Sequence, residues 1–119
     1  MQENIPCINL DDGLKRIRGN KKLYVKMLDM FLENKEAEML ERSLADNKLE
    51  EAADIAHAIK GMTGNLSLLR LSDVSNELME SLKGGKRDEH LIALYREALE
   101  KTTEQARVVK RELEAELGL

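Results

Sequence analysis

His57 opens the run H-A-I-K-G-M-T-G-N, residues 57–65. On a helix its neighbours at +3, +4 and +7 are Lys60, Gly61 and Gly64, and all three share the face of the imidazole. A neutral imidazole is a nucleophile near pH 7, because the unperturbed histidine pKa is about 6.5. A phosphoryl group on a ring nitrogen makes a labile phosphoramidate. Lys60, one turn on, can reach an anion attached to the ring and offset its charge during transfer. The two glycines leave a surface cleared for another protein. No G-x-x-x-x-G-K-[ST] loop and no kinase motif set occurs in the chain. A phosphoryl donor would therefore be another protein.

Most exposed histidines do nothing special, so the surroundings must decide. At about 100° per residue, Ala52, Ile55, Ala56, Ile59, Thr63 and Leu66 cluster on one side, which is expected to face a core. His57, Lys60, Gly61 and Gly64 fall close to the opposite side. A buried, structurally satisfied histidine is thereby disfavoured. Each glycine inside a helix costs about 1 kcal/mol relative to alanine, a visible part of the ~5–15 kcal/mol that keeps a domain folded. Close packing on a neighbouring helix would account for such glycines, but their position opposite the core argues for close approach of a partner. Asn65, at the edge of this face, is polar contact surface or the fraying end of the helix.

Other constellations are weaker. Di-iron bundles need two E-x-x-H motifs; here Asp54 precedes His57 at that spacing and Arg87 precedes His90. His90 reads as a solvated residue near a helix start. Cys7 cannot be placed beside His57. Met27, Met30, Met39, Met62 and Met79 read as core or groove lining rather than a metal site. The alternating charges between Glu100 and Glu112 read as a solvent face.

The elements that must hold His57 are helical. Residues 1–9 read as a short leader containing Pro6, and residues 10–119 as one domain. Asp11 and Asp12 lie near the start of a short helix that Gly19 ends. Asn20 is an N-cap for a segment reaching about Asp46, carrying Leu23, Met27, Met30, Phe31, Ala37, Leu40 and Leu44 at helical spacing. It reads as one long helix, with a bend near Asn34 as the alternative. Asp46 and Asn47 make a turn, and the His57 helix runs from about Lys48 to Leu66. Leu71, Val74, Ser75, Leu78 and Leu82 form the next stripe, stopped by Gly84 and Gly85. Asp88 caps a last helix with Leu91, Leu94, Tyr95, Ala98, Thr102, Ala106, Val109, Leu113 and Leu117 on one broad stripe. Short links favour antiparallel neighbours. The expected fold is all-α: an up-down-up-down four-helix bundle with a short extra N-terminal helix.

Composition agrees. The chain has 119 residues, 42% hydrophobic and 35% charged, with one proline, which suits amphipathic helices and not disorder. A net charge of −4 gives no support to a general nucleic-acid binder. A single cysteine excludes an internal disulfide and a cysteine-rich zinc site, and fits a reducing cytoplasm. There is no run of 18 apolar residues and no signal-peptide pattern. No direct membrane contact is expected, and the anchor of any membrane-bound parent would lie outside this chain.

With these residues in hand, the chain resembles the histidine-containing phosphotransfer (HPt) domain family of two-component phosphorelays. The family pattern is H-x-x-K-G followed by small residues and then Asn. His57, Lys60, Gly61 and Asn65 match it, and Gly64 fills a small-residue slot. The resemblance extends through G-L-K-R-I-R-G-N-K-K-L-Y (13–24), M-L-D-M-F-L-E-N (27–34) and the helix over 71–82. It implies that His57 accepts a phosphoryl group from a receiver-domain aspartate and passes it to another receiver, with Lys60 stabilising the phosphate and Gly61, Gly64 and Asn65 docking the partner. Partners would be receiver domains of response regulators or hybrid sensor kinases. Mg²⁺ would be carried by the receiver, and the chain would need no cofactor of its own. It would be a monomeric phosphocarrier without ATP-dependent kinase activity. Two positions depart from the pattern. Ser67 stands where glycine is frequent, at the turn after the motif. Met79 stands where several members place Glu or Gln able to hold the second ring nitrogen. A methionine offers neither oxygen nor amide, so water or another group is expected to set the tautomer of His57. That departure is the best support for a rival reading, a helical interaction module that binds receiver-like partners without carrying phosphate. A coiled-coil spacer is a third, weakened by the glycines and short links.

Overall fold

The computed structural model describes residues 5–119. The expected leader, residues 1–9, falls partly on residues 1–4, which lie outside the described residues. Six helices follow in order: α1 (Leu10–Arg16), α2 (Lys21–Glu33), α3 (Glu36–Ala45), α4 (Leu49–Asn65), α5 (Leu69–Lys83) and α6 (Glu89–Leu117). No strand occurs among the described residues. α2 and α3 together form the first rod of an up-down-up-down four-helix bundle. α3 packs on α4, α4 on α5, α5 on α6, and α6 returns to α2, which closes the ring. α1 is the extra N-terminal helix.

Asparagine and aspartate side chains set several helix starts. Asn20 Oδ1 accepts from the Leu23 amide at 3.0 Å, and Asp88 Oδ1 from the His90 and Leu91 amides at 3.0 and 3.1 Å. Each satisfies amides that a helix leaves without an internal partner. For α1 the capping oxygen belongs to Asn9, which accepts from the Asp12 amide at 3.1 Å. Asp11 and Asp12 sit inside the first turn.

The long-helix expectation for 20–46 is corrected: the segment breaks at Asn34. Its backbone is extended (φ −68°, ψ 158°), and its side chain works on both sides of the break. The amide donates back to the Phe31 carbonyl, while Oδ1 accepts from the Glu36 amide at 2.8 Å. An asparagine that bonds locally to the backbone offers the chain an alternative to continuing the helix. The apolar phase of α2 also differs from the expected one. Tyr24, Val25, Leu28 and Phe31 are buried, whereas Leu23 is 39% and Met30 69% exposed. Tyr24 and Val25 claim the inward face because the hydroxyl of Tyr24 finds a buried partner. Met30, expected in the core or a groove, is exposed, whereas Met39, though partly exposed, lines a groove with Arg42, Ser43 and Glu51. Elsewhere the expected stripes hold. All six expected α4 positions are buried, as are Leu71, Val74, Ser75, Leu78 and Leu82 of α5. On α6, Leu117 is exposed and Ile92, not on the expected stripe, is fully buried.

The N-terminal segment is tied to the turn that follows α4. Asn9 N donates to the Ser67 carbonyl at 3.0 Å, and Arg70 Nε to the Ile5 carbonyl at 2.8 Å. The buried Ser67 hydroxyl donates to Asp12 Oδ2. That bond, then the Arg16 guanidinium, hold the Asp12 carboxyl below its ordinary 3.8. Ser67 sits at φ +56°, the left-handed region that disfavours a side chain. Its hydrogen bond to Asp12 is the compensation that a glycine there could not make. Beneath α1, the fully buried Tyr24 hydroxyl donates to the Leu66 carbonyl at 2.7 Å. Gly13 lies directly over this bond. A Cβ there would stand 2.7 Å from the Tyr24 ring and 2.9 Å from the Leu66 oxygen.

Tyr24→Phe removes the donor and leaves the Leu66 carbonyl buried without it, so urea unfolding should show a loss of about 1–3 kcal/mol. Burial also pushes the Tyr24 phenol from 10.0 up to about 12. A raised folded-state value gives stability that is complete below pH 10 and is lost as pH climbs toward 12. Stability should therefore fall between those limits in the wild type and fall less in Tyr24→Phe. Tyr95, also raised by burial, sustains the remainder. An alkaline profile identical in the two proteins would contradict this account.

Candidate functional site

α4 divides its residues sharply by side. Ala52, Ala56, Ile59 and Thr63 are at most 2% exposed, whereas His57, Ala58, Gly61 and Asn65 are exposed. Three alanines at 52, 53 and 56 keep the buried side thin, so the neighbouring helices approach closely. Thr63 avoids an orphaned hydroxyl by donating to the Ile59 carbonyl at 2.7 Å. The outward strip begins at His57. At 1.5 Å rise per residue, Lys60 and Gly61 lie about 5–6 Å along it, and Gly64 and Asn65 about 10–12 Å. His57, Lys60, Gly61 and Gly64 thus share one face, and Asn65 closes its end as the last residue of α4.

Each sequence-derived position can be described physically. A Cβ at Gly61 would meet nothing within 4 Å, so no internal packing demands glycine there. A Cβ at Gly64 would touch only Ser72 Oγ at 3.5 Å, an ordinary contact. Neither glycine is a close-packing residue of the bundle. Lys60 is half-buried, and its ammonium pairs with no carboxylate among the described residues, in contrast to Lys21, Lys101 and Lys110. Its backbone carbonyl accepts from Thr63 Oγ1 and Ser72 Oγ at 3.2 and 3.3 Å, which steadies the turn that carries it.

α5 supplies the wall behind the ring. Met79 is 8% exposed, and its Sδ lies 3.1 Å from His57 Nδ1. The expectation that water or some other group faces this nitrogen is corrected: the methionine itself does. Its signal in the sequence was present but weak. Met79 follows Ser75 and Leu78 on the inward stripe, and a methionine at the edge of such a stripe reads as packing. Two more residues escaped the sequence reading. Ala58 adds a small exposed residue beside His57, and Ser72 ties α5 to the Lys60 turn. A lone alanine or serine on an amphipathic helix carries no signal by type.

Beyond this pair, toward the start of α4 and the end of α5, an open groove of about 670 Å³ is lined by Glu50, Ala53, Asp54, Leu82 and Lys83, among others. His57 lies outside that lining, on the open surface. His90 is exposed at the start of α6, as a solvated residue would be. Among the described residues no three His, Cys, Asp or Glu side chains are grouped to hold a metal ion. No helix among them is long and apolar enough to cross a membrane. The arrangement can present one imidazole nitrogen to a macromolecule, with a cation one turn away and nothing bulky between.

The comparisons with curated proteins and with solved structures return no match. The family model for the Hpt domain matches residues 26–117, well over half of the chain, from the second turn of α2 to the end of α6. α1 precedes the matched stretch, which contains all of α4 and α5. Domains of this kind serve histidine phosphotransfer in phosphorelays. By that match, and with a histidine on the outward face of a bundle helix, the chain belongs to the Hpt domain family.

Proposed function

We propose that this domain is a phosphorelay carrier in which His57 accepts a phosphoryl group from a receiver-domain aspartate and hands it to another receiver. The observation that carries the reading is the open strip at Gly61, where no part of the bundle claims the space that a side chain would fill. Helical glycines with no packing role and a cost of about 1 kcal/mol each fit a surface kept low for a docking protein. Lys60, unpaired within the described part of the domain, is the group that meets the phosphate charge. Gly61, Gly64 and Asn65 form the floor on which the receiver sits. In this reading the Mg²⁺ that assists an acyl phosphate belongs to the receiver, and the domain, a monomer, needs no cofactor and has no kinase activity of its own. The chemistry fits a cytoplasmic setting, where receivers work. Residues 10–119 act as the domain, and residues 1–9 as its leader.

The domain mixed with a phosphorylated receiver should acquire an acid-labile, base-stable phosphate, and His57→Gln should acquire none. Equal labelling of the two would sink His57 as the acceptor, and no label on the wild type would favour a helical module that binds receivers without carrying phosphate. Lys60→Ala should slow transfer by about tenfold, the loss of one charge-assisted contact of roughly 1.4 kcal/mol, while thermal unfolding stays unchanged. Gly61 gives two opposed effects. Gly61→Ala should raise stability by roughly 0.5–1 kcal/mol, since its methyl meets open space. Gly61→Gln should fold equally well yet weaken receiver binding in titration calorimetry. Unchanged affinity would remove the docking role from this strip.

A further inference from the structure

We propose that the outer face of α2, with the turn before it, is a docking surface for anionic phospholipid headgroups, so that the domain attaches peripherally to a membrane. The charge of the chain is segregated. Residues 13–28 contain Lys15, Arg16, Arg18, Lys21, Lys22 and Lys26 and no acidic residue, while the rest of the chain sets 13 cations against 23 anions. All six of these cations are exposed. Arg16 pairs with Asp12 and Lys21 with Glu116, but Lys15, Arg18, Lys22 and Lys26 form no ion pair among the described residues. Stability of the fold does not ask for them. α1, α3, α4 and α6 carry acidic residues in their first turns, which suit the positive end of a helix dipole, whereas α2 opens on Lys21 and Lys22. A local excess of cations on a chain that is acidic overall is a field aimed at an anionic partner.

Apolar side chains stand among these cations, and they favour lipid as the occupant. Tyr24 is fully buried, and its hydroxyl reaches Leu66 at the end of α4. Lys22 and Lys26 each lie two residues from Tyr24, a rotation of about 200°, and so project from the opposite side of α2. Met30 follows Lys26 by one turn in the same row and is 69% exposed. Leu23, beside Lys22, is exposed as well, and half-buried Met27 lies between the two. The patch ends at the exposed Glu33, and Asp29 on its flank is held by Lys110. Lysines around exposed leucine and methionine suit a membrane interface, where ammonium groups meet headgroup phosphates and apolar tips enter the acyl boundary. Nucleic acid would use the cations but not Met30, and base stacking needs aromatic rings that this face lacks. Long unbranched side chains without a fixed partner also suit a fluid surface, which adjusts to them. No helix among the described residues can cross a membrane, and attachment of this kind needs none. Such contact departs from the expectation of none, which followed from the lack of a spanning segment. The patch faces away from the end of α4 and draws on no residue of the His57 strip.

Co-sedimentation of the full chain with lipid vesicles is the test. Vesicles of phosphatidylserine and phosphatidylcholine at about 1:2 should carry the protein down at low salt, vesicles of phosphatidylcholine alone should not, and binding should fall as added salt screens the charges. Lys22→Gln combined with Lys26→Gln should lower the partition coefficient by about 25-fold, about fivefold for each cation lost at an anionic surface. Lys83→Gln combined with Lys86→Gln changes the net charge equally at exposed positions outside the patch, and should leave binding within about twofold of wild type. Met30→Gln keeps every charge and should weaken binding by about threefold, through the lost apolar tip. All five positions are exposed, so thermal unfolding of each variant should match the wild type. No binding to the phosphatidylserine vesicles at low salt, or an equal loss in the two lysine pairs, overturns the proposal. Capture by polyglutamate or duplex DNA as strong as by the vesicles, with Met30→Gln without effect, assigns the patch to an acidic macromolecule and overturns it too. Phosphate on His57 is not a readout in any arm, so this proposal and the carrier reading stand or fall separately.

Discussion

Burial of the alanine-rich side of α4 against the bundle is the constraint on which the rest hangs. Ala52, Ala53 and Ala56 are at most 1% exposed. Small residues there let the neighbouring helices come close, and that closeness fixes the rotation of α4 about its own axis. Once the rotation is fixed, His57 has no choice but to face outward, and Lys60, Gly61 and Gly64 follow it by helical spacing. The same contact fixes what stands behind the ring. With α5 drawn against α4, Met79 falls beside His57 and Ser72 beside the Lys60 turn. Site and core are two faces of one packing decision.

The remainder of the frame is braced by α6. At 29 residues it is about 43 Å long, close to the 47 Å length of the whole molecule. Its first half is bridged to α3 by Arg96 and Glu41, and its second half to α2 by Lys110 with Asp29 and Lys21 with Glu116. These pairs are largely exposed and individually worth little. The apolar seam beneath them, from Ile92 and Tyr95 to Leu113, does the holding. One continuous helix thereby aligns the two pieces of a rod that Asn34 has broken.

What was legible in the sequence and what was not divides along physical lines. Periodicity located the core side of α4 and α5, because there each turn contributes an unambiguous apolar or small residue. The caps at Asn20 and Asp88 and the stop at Gly84 were legible because those residue types act locally. The phase of α2 was not, since Leu23, Tyr24, Val25, Met27, Leu28, Met30 and Phe31 are apolar nearly all the way round. Choosing among them depended on the Tyr24 bond to Leu66, a contact 42 positions away. The break at Asn34 turned on a side chain bonding its own backbone in two directions, which spacing does not register. Within the site, the outward strip was readable from one helix alone. Met79 was not, because its role depends on which ring nitrogen it meets, and that is set by how two helices are brought together.

An imidazole with one nitrogen against sulfur and the other in the open has a single usable approach. On the carrier reading, the protein that delivers a phosphoryl group and the protein that takes it away need the same few square ångströms of α4. They cannot occupy it together. Traffic through such a site is strictly alternating: the first visitor must leave before the second arrives. A surplus of either visitor blocks the other. The throughput of the relay would then have an optimum in partner concentration rather than rising without limit, and that optimum is written into the fact that only one edge of one ring is exposed.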